Sequence, residues 1–492
     1  MNRKHAFILW IILCAIYYSA YRGALSHIIF YQEQHHLFLF SKEYFYKQWH
    51  AEGILRYLTD FVIQFFYHPA VGSALLSFLM ASIYLLTYHL VFWMTGKNDR
   101  LHLSLFPSLG LFFYTMSADH SLTFAVGSFL TLLFLVVAFI PLRPRLLPLS
   151  CLARMRTFSP KTGWVISLLL LAFYGAGSYF YFLRSYNHSE RIMLKAEQHV
   201  KQKEWEKVLQ YTERYLNAGR NNQLISYFHH MALQRTGKLT EHLFDHPQHL
   251  GVKGLYFSWT GNSRESEYGH FLYEELGYLN EAQRWEFEAM VVWGETAPHL
   301  LNLAKYNIAN GRRRVAQIYI NKLKQSLFYR DTALRLEEAA LTGEVPGLRN
   351  TTGHLSGHPV RFANVMNIGP ELEFLCRQDP TNRMAFDYLM AQLLLSNHIV
   401  RFAKNLKWIE RFKESRLPRI YEEALYIYKL GVSEEEFQQV GFTVSEETEQ
   451  RFQHYYRLMQ DNRIDELQAR YGNTYWFYLN QVSPYGNKVI TD

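Results

Sequence analysis

Cysteine is scarce in this chain, and so is acid over its first 183 residues. Three cysteines in 492 residues, Cys14, Cys151 and Cys376, cannot build a disulfide framework, and no two have metal-ligand spacing. Cys376 is alone in the polar stretch after residue 183, which excludes an internal disulfide there. Cys14 follows Leu13 rather than a small residue, which argues against a lipoprotein anchor. Residues 1–183 hold only six Asp and Glu against 13 Lys and Arg, and the remainder is nearly balanced at 37 against 38. The net +8 therefore sits in and around apolar helices, where a membrane surface accounts for it. The polar part shows no basic stripe, and no nucleic-acid partner is expected. Also missing are a phosphate-binding loop, a dinucleotide fingerprint and a nucleophile elbow, so neither cofactor nor reaction is assigned.

Long apolar runs are abundant. Five stand out: 6–30, 69–94, 101–116, 122–140 and 164–183. Crossing the ~30 Å hydrocarbon core takes roughly 20 apolar residues in a helix. The second, fourth and fifth runs meet this comfortably. The third is short and carries Pro107 and Gly110, so it reads as a short pass or a re-entrant hairpin. The first has a basic start, Asn2-Arg3-Lys4-His5, but lacks a small-x-small cleavage site, so an uncleaved helix is expected. Arg3, Lys4, Lys97, Arg100, Arg143, Arg145, Arg154, Arg156 and Lys161 all fall on one side if there are five passes. By the positive-inside rule that side is the cytoplasm. Lys42, Lys47, Arg56, Arg184 and Arg191 run against this scheme. Residues 32–68, aromatic and half polar, read as an amphipathic helix lying at the membrane interface or against the other spans. The reading is a membrane domain over 1–185 and a soluble domain over 186–492.

The soluble part carries a repeat. Gly277 and Gly311 are 34 residues apart, and so are Ala282 and Ala316. Each Gly lies between two helical patterns, with the Ala five residues on, as in a tetratricopeptide helix pair. Two earlier units begin near Ser189 and near Asn222, the second turning at Gly237, and a six-residue excess follows within Pro247–Trp259. Later helical segments at 382–395, 397–412 and 418–430 lose this phase. A Gly-, Thr- and His-rich loop lies near 343–369, and the tail from Tyr475 reads as a cap. The fold class expected is all-α: transmembrane helices followed by a tetratricopeptide-like α-solenoid. Such stacks present a concave surface suited to a peptide or protein partner, the alternative being a structural platform.

Several passages carry a family resemblance: Gln34-His-His-Leu-Phe-Leu-Phe40, Gln64-Phe-Phe66, Asn280-Glu-Ala-Gln-Arg-Trp-Glu-Phe-Glu-Ala-Met290, Ser326-Leu-Phe-Tyr-Arg330, Asn382-Arg-Met-Ala-Phe-Asp-Tyr-Leu-Met390 and Tyr421-Glu-Glu-Ala424. The chain resembles an uncharacterised Bacteroidota family of multi-spanning membrane proteins with a tetratricopeptide-like C-terminal part. The resemblance spans nearly the whole chain. It implies an inner-membrane protein with a periplasmic tail and supplies no catalytic residue.

Candidate chemistry is sparse. Glu33, His35, His36, Asp60, Asp119 and His120 form an outer-face polar set, because ionisable groups near membrane depth are costly and often functional. They read either as a proton-transfer or metal site or as solvated headgroup-level residues. His89, inside the second run, is expected to bond a neighbouring helix. His354 and His358 are spaced by four in a loop, which spoils the face a zinc pair needs. His229, His230, His242, His246 and His249 read as surface or core residues. Trp285 with Arg284, and Arg312 with Arg313, are candidate partner contacts, the alternative being a salt-bridged or solvated face. The expected role is a non-enzymatic periplasmic scaffold that binds another envelope protein or peptide and sits among membrane lipids. The alternative is a component of an envelope enzyme or transporter acting on a lipid-linked or glycan substrate.

Overall fold

The computed structural model describes residues 3–51, 53–95, 98–99, 101–140, 160–258, 263–349, 363–364, 366–414, 416–487 and 489. Among these the chain is all-helical, with no strand. It divides into two compact units. The first comprises Met1–Arg191, Thr296–Pro298 and Asn321–Ala333; the second comprises Ile192–Glu295, His299–Ile320 and Leu334–Asp492.

In the first unit the helices are α1 (Arg3–Arg22), α2 (Ser26–His35), α3 (Lys42–Ala51), α4 (Ile54–Ile63), α5 (Pro69–Thr95), α6 (Leu105–Tyr114), α7 (Leu122–Phe139) and α8 (Pro160–Ser185). Four of them, α1, α5, α7 and α8, are long and apolar enough to cross a membrane. α6 is not. Its ten residues rise ~15 Å, half the hydrocarbon thickness. The first apolar run is also shorter than 6–30, because a turn at Gly23–Leu25 ends α1 and starts α2, which buries His27, Ile28, Ile29 and Gln32. Residues 32–68 are not one amphipathic helix but the end of α2, then α3, α4 and a 3₁₀ turn at Gln64–Tyr67. α3 buries nothing, whereas α4 buries Thr59, Asp60 and Ile63.

Side-chain contacts fix helix directions. His5 packs edge-on against Trp164 at 4.6 Å, and at the opposite end Tyr186 donates to the Ala24 carbonyl at 2.9 Å, so α1 and α8 run the same way. Phe106 meets Tyr174 and Phe113 meets Tyr181, so α6 runs with α8. Tyr17 and Tyr21 of α1 bond Ser108 and Thr115 at 2.9 and 2.7 Å, so α6 also runs with α1. The stretch from Leu101 to Ala118 thus leads from one end of the unit to the other, despite its short helix. Asp99 shapes the turn into it by accepting from the Leu103 and Ser104 amides and the Ser104 hydroxyl. His89 bonds its own helix at the Leu85 carbonyl, 2.7 Å away, rather than a neighbouring one.

In the second unit the same turn recurs six times among the described residues. A residue with positive φ, at Lys203, Gly237, Gly277, Gly311, Asn397 or Asn462, follows a helix, and a second helix starts two residues later. Its amide bonds the carbonyl three residues back, and the next amide bonds the carbonyl five back: Gly277 to Glu274 and Tyr278 to Tyr273, Asn397 to Leu394 and His398 to Leu393, likewise at the others. This is the Schellman closure, which satisfies the carbonyls that a helix end leaves over. The first four turns are spaced 34, 40 and 34 residues apart. The tail packs into the unit: Tyr478 donates to the Leu395 carbonyl, Trp476 to the Glu423 carbonyl, and Phe244 stacks on Tyr478. The basic stretch 141–159, residues 350–362 with His354 and His358, and Cys151 lie outside the described residues.

Candidate functional site

The outer-face polar set separates into distinct places. His36 and Asp60 come together: Nδ1 of His36 lies 2.8 Å from Oδ1 of Asp60. Arg56, one turn earlier on α4, reaches the same oxygen at 3.0 Å, and the Tyr44 hydroxyl donates to Oδ2 at 2.8 Å and to the Leu37 carbonyl. Asp60 is 2% exposed; hydrogen bonds from His36 and Tyr44 and the charge of Arg56 compensate its carboxylate, as a buried charge requires. Burial lowers the His36 pKa from its ordinary value, while the bond to Asp60 opposes that shift. The arrangement clamps the 36–44 segment onto α4.

Glu33 faces elsewhere. It accepts from the Tyr329 hydroxyl and from Gln34 at 2.5 Å. Around it Phe328 stacks on Tyr67 at 5.2 Å and packs edge-on to Phe65 and His68, and the Phe40 amide bonds the Gln325 carbonyl. Three segments that carry the family resemblance, 34–40, 64–66 and 326–330, therefore meet at one aromatic corner of the first unit. His35 stacks on Tyr31 and bonds its carbonyl. His120 stacks on Tyr114, 4.3 Å away, and its backbone oxygen accepts from Gln32 at 3.4 Å. Asp119 is exposed in the turn. Glu190 had drawn no attention in the sequence. It is buried, accepts from the Ala118 amide at 2.8 Å and from Ser117, and lies 3.8 Å from His27.

In the second unit Trp285 is 3% exposed and packs beneath Gly269, so its ring offers no surface to a partner. Its helix places the indole in the core because Ala282, Trp285 and Ala289 share one face at three- and four-residue spacing. Arg284 pairs with Glu281, a fully buried carboxylate that also accepts from the Ala363 amide; burial raises its pKa against the pull of Arg284. Arg312 donates to the amide oxygens of Gln283 and Asn280, and Arg313 to the Leu341 carbonyl, so each of these guanidinium groups bonds neutral acceptors. Glu286 is likewise interior, held by His299 at 2.6 Å, His270 at 3.2 Å and Asn302 at 3.3 Å. His229 bonds Thr212 and His230 bonds the Gly254 carbonyl, both buried. Among the described residues no group of three or more His, Cys, Asp or Glu is placed to hold a metal ion.

Apolar helices of membrane length, together with a polar unit of helix pairs, define an all-helical, membrane-associated protein. More particularly, the chain belongs to the family of unknown function DUF6057, whose model matches residues 2–183 and 138–481. No curated protein and no solved structure matches it.

Proposed function

We propose that this protein is a non-enzymatic scaffold of the bacterial inner membrane whose second unit is a tetratricopeptide-like solenoid that binds an envelope protein or peptide in the periplasm. One observation carries the binding role. The helix Leu279–Trp293 exposes Phe287 and Val291, one turn apart, and the helix Arg313–Leu323 exposes Val315 and Ile318. These are the second helices of two successive pairs, and each of the four apolar side chains stays more than a third exposed. Contiguous exposed apolar surface of this kind marks interaction sites.

Helix directions and charge support this orientation. α1, α6 and α8 run one way, so α5 and α7 are read as the return passes. Five passes then put Arg3, Lys4 and the basic 141–159 stretch on the cytoplasmic side. The alternative role on a lipid-linked or glycan substrate finds less support, because Asp60 is buried and engaged by His36, Tyr44 and Arg56.

Paired topology reporters after Tyr186 and at the C-terminus test the orientation, and photo-crosslinkers at Val291 and Ile318 in intact cells test the binding. An extracytoplasmic signal and a discrete protein adduct at both positions are the expected results. A cytoplasmic C-terminus removes the periplasmic reading, and the absence of any adduct removes the scaffold reading.

A further inference from the structure

Of the three parallel helices, α1 and α8 touch each other at their ends and part between, while α6 packs beside both. His5 meets Trp164 at one end, and Tyr186 meets the Ala24 carbonyl at the other. Between these contacts lies a slot of about 610 Å³, walled by Leu9, Leu13, Tyr17, Leu109, Leu171 and Phe182 among others. Short side chains help create it: Ala20 on α1 and Gly175 and Ser178 on α8 line its walls. A Cβ built at Gly175 meets nothing within 4 Å, whereas one built at Gly72 on α5 falls 2.8 Å from Phe66. Only 6% of the most apolar stretch of α8 is buried, against 56% of that of α5. α8 thus rests on α6 through Tyr174 and Tyr181 and leaves most of its length uncovered.

A slot of this size lies within the usual range of small-molecule sites, and nothing on its walls hydrates water well. In a bilayer it fills with hydrocarbon. Its outer mouth is cationic. Arg191 donates to the Tyr186 hydroxyl at 3.0 Å, and that hydroxyl closes the slot on Ala24. Arg22 ends α1 and Arg184 lies in the last turn of α8, both exposed. The nearby carboxylate, Glu190, is turned inward to Ala118.

We propose that the slot between α1, α6 and α8 holds one acyl chain of an anionic phospholipid, with its phosphate at Arg22, Arg184 and Arg191. The lipid completes the packing of α8 and is a structural ligand of the protein.

The test uses the full chain, purified and delipidated in detergent, and titrated by native mass spectrometry with phosphatidylglycerol and with phosphatidylcholine of the same acyl chains. One phosphatidylglycerol is expected to be retained about tenfold more tightly than phosphatidylcholine. Arg22→Ala with Arg191→Ala removes the preference while leaving weak binding of both lipids. Gly175→Leu with Ser178→Leu fills the slot and abolishes retention, and Leu171→Trp is a second filling variant should the first fail to fold. Equal binding of the two lipids by the wild type, no retained lipid, unchanged retention in a folded filling variant, or preferential retention of a polyprenyl phosphate from native membranes each overturns the proposal.

Discussion

Replacing Gly269 with Ala tests whether Trp285 is a core residue, as its burial indicates. A Cβ at position 269 lands on the indole, 2.7 Å from Cζ3 and nearer still to Cε3 and Cδ2. Carbon atoms rest at roughly 3.5–4.0 Å, so the ring must retreat by about 1.5 Å into a packed interior. Overpacking of this kind costs about 1–3 kcal/mol, and the better helix propensity of Ala offsets less than about 1 kcal/mol of it. Removing the ring with Trp285→Ala costs about 3–5 kcal/mol through lost burial and the cavity left behind. The two changes are coupled. With the ring gone, the methyl group added at position 269 projects into space, so the double variant is no less stable than Trp285→Ala alone. The assay is urea unfolding of the full chain at fixed detergent, followed by circular dichroism. Spans in the micelle keep their helical bonds, so the transition reports the second unit. A wild-type midpoint for Gly269→Ala, or the same cost for it with and without the indole, would refute the packing described here.

His230 predicts a pH dependence. Burial pushes its pKa down to about 4 from the ordinary 6.5, so the folded state holds it neutral while the unfolded chain takes up a proton. Its contribution is fully present above pH 6.5 and declines by ~3 kcal/mol as the pH falls to about 4, and urea midpoints of His230→Gln should lack this part of the slope. Glu190→Ala leaves the Ala118 amide buried without its acceptor and should cost about 1–3 kcal/mol in the first unit, read as a lower melting temperature in detergent, with Glu190→Gln recovering most of it. The six turns predict opposite signs for opposite changes. Gly311→Ala forces a side chain into φ 74° with nothing nearby to clash, and should cost about 1–2 kcal/mol. Asn462→Gly relieves an exposed φ of 55° and should leave stability unchanged or raise it by up to about 1 kcal/mol.

Much of the fold was legible where one local signal sufficed. Unbroken apolar runs located α5, α7 and α8 to within a few residues, because nothing but a long helix satisfies such a backbone in hydrocarbon. The turns at Gly237, Gly277 and Gly311 could be read because glycine marks a positive φ. Those at Lys203, Asn397 and Asn462 could not, since their identical geometry is imposed by the hydrogen-bonded closure and by packing rather than by residue type. The lone Gly23 in an apolar run was too weak a sign of the break between α1 and α2. Trp285 was misread because the acids around it, Glu281 and Glu286, look like a surface face, while the structure buries both with dedicated donors. The corner joining Glu33 to Tyr329 spans 296 residues, and no local pattern reveals a contact at that separation.

The tail has a consequence for biosynthesis. Each Schellman turn closes with residues already made, so helix pairs form as the chain emerges. The tail is different. Tyr478 and Gly486 reach back to Leu395 and Asn397, and a Cβ built at Gly251 falls 2.9 Å from Pro484. Residues 478–486 thus complete a core begun more than two hundred residues earlier. Until residues 478–486 are made, the second unit lacks this part of its core and stays open at that site.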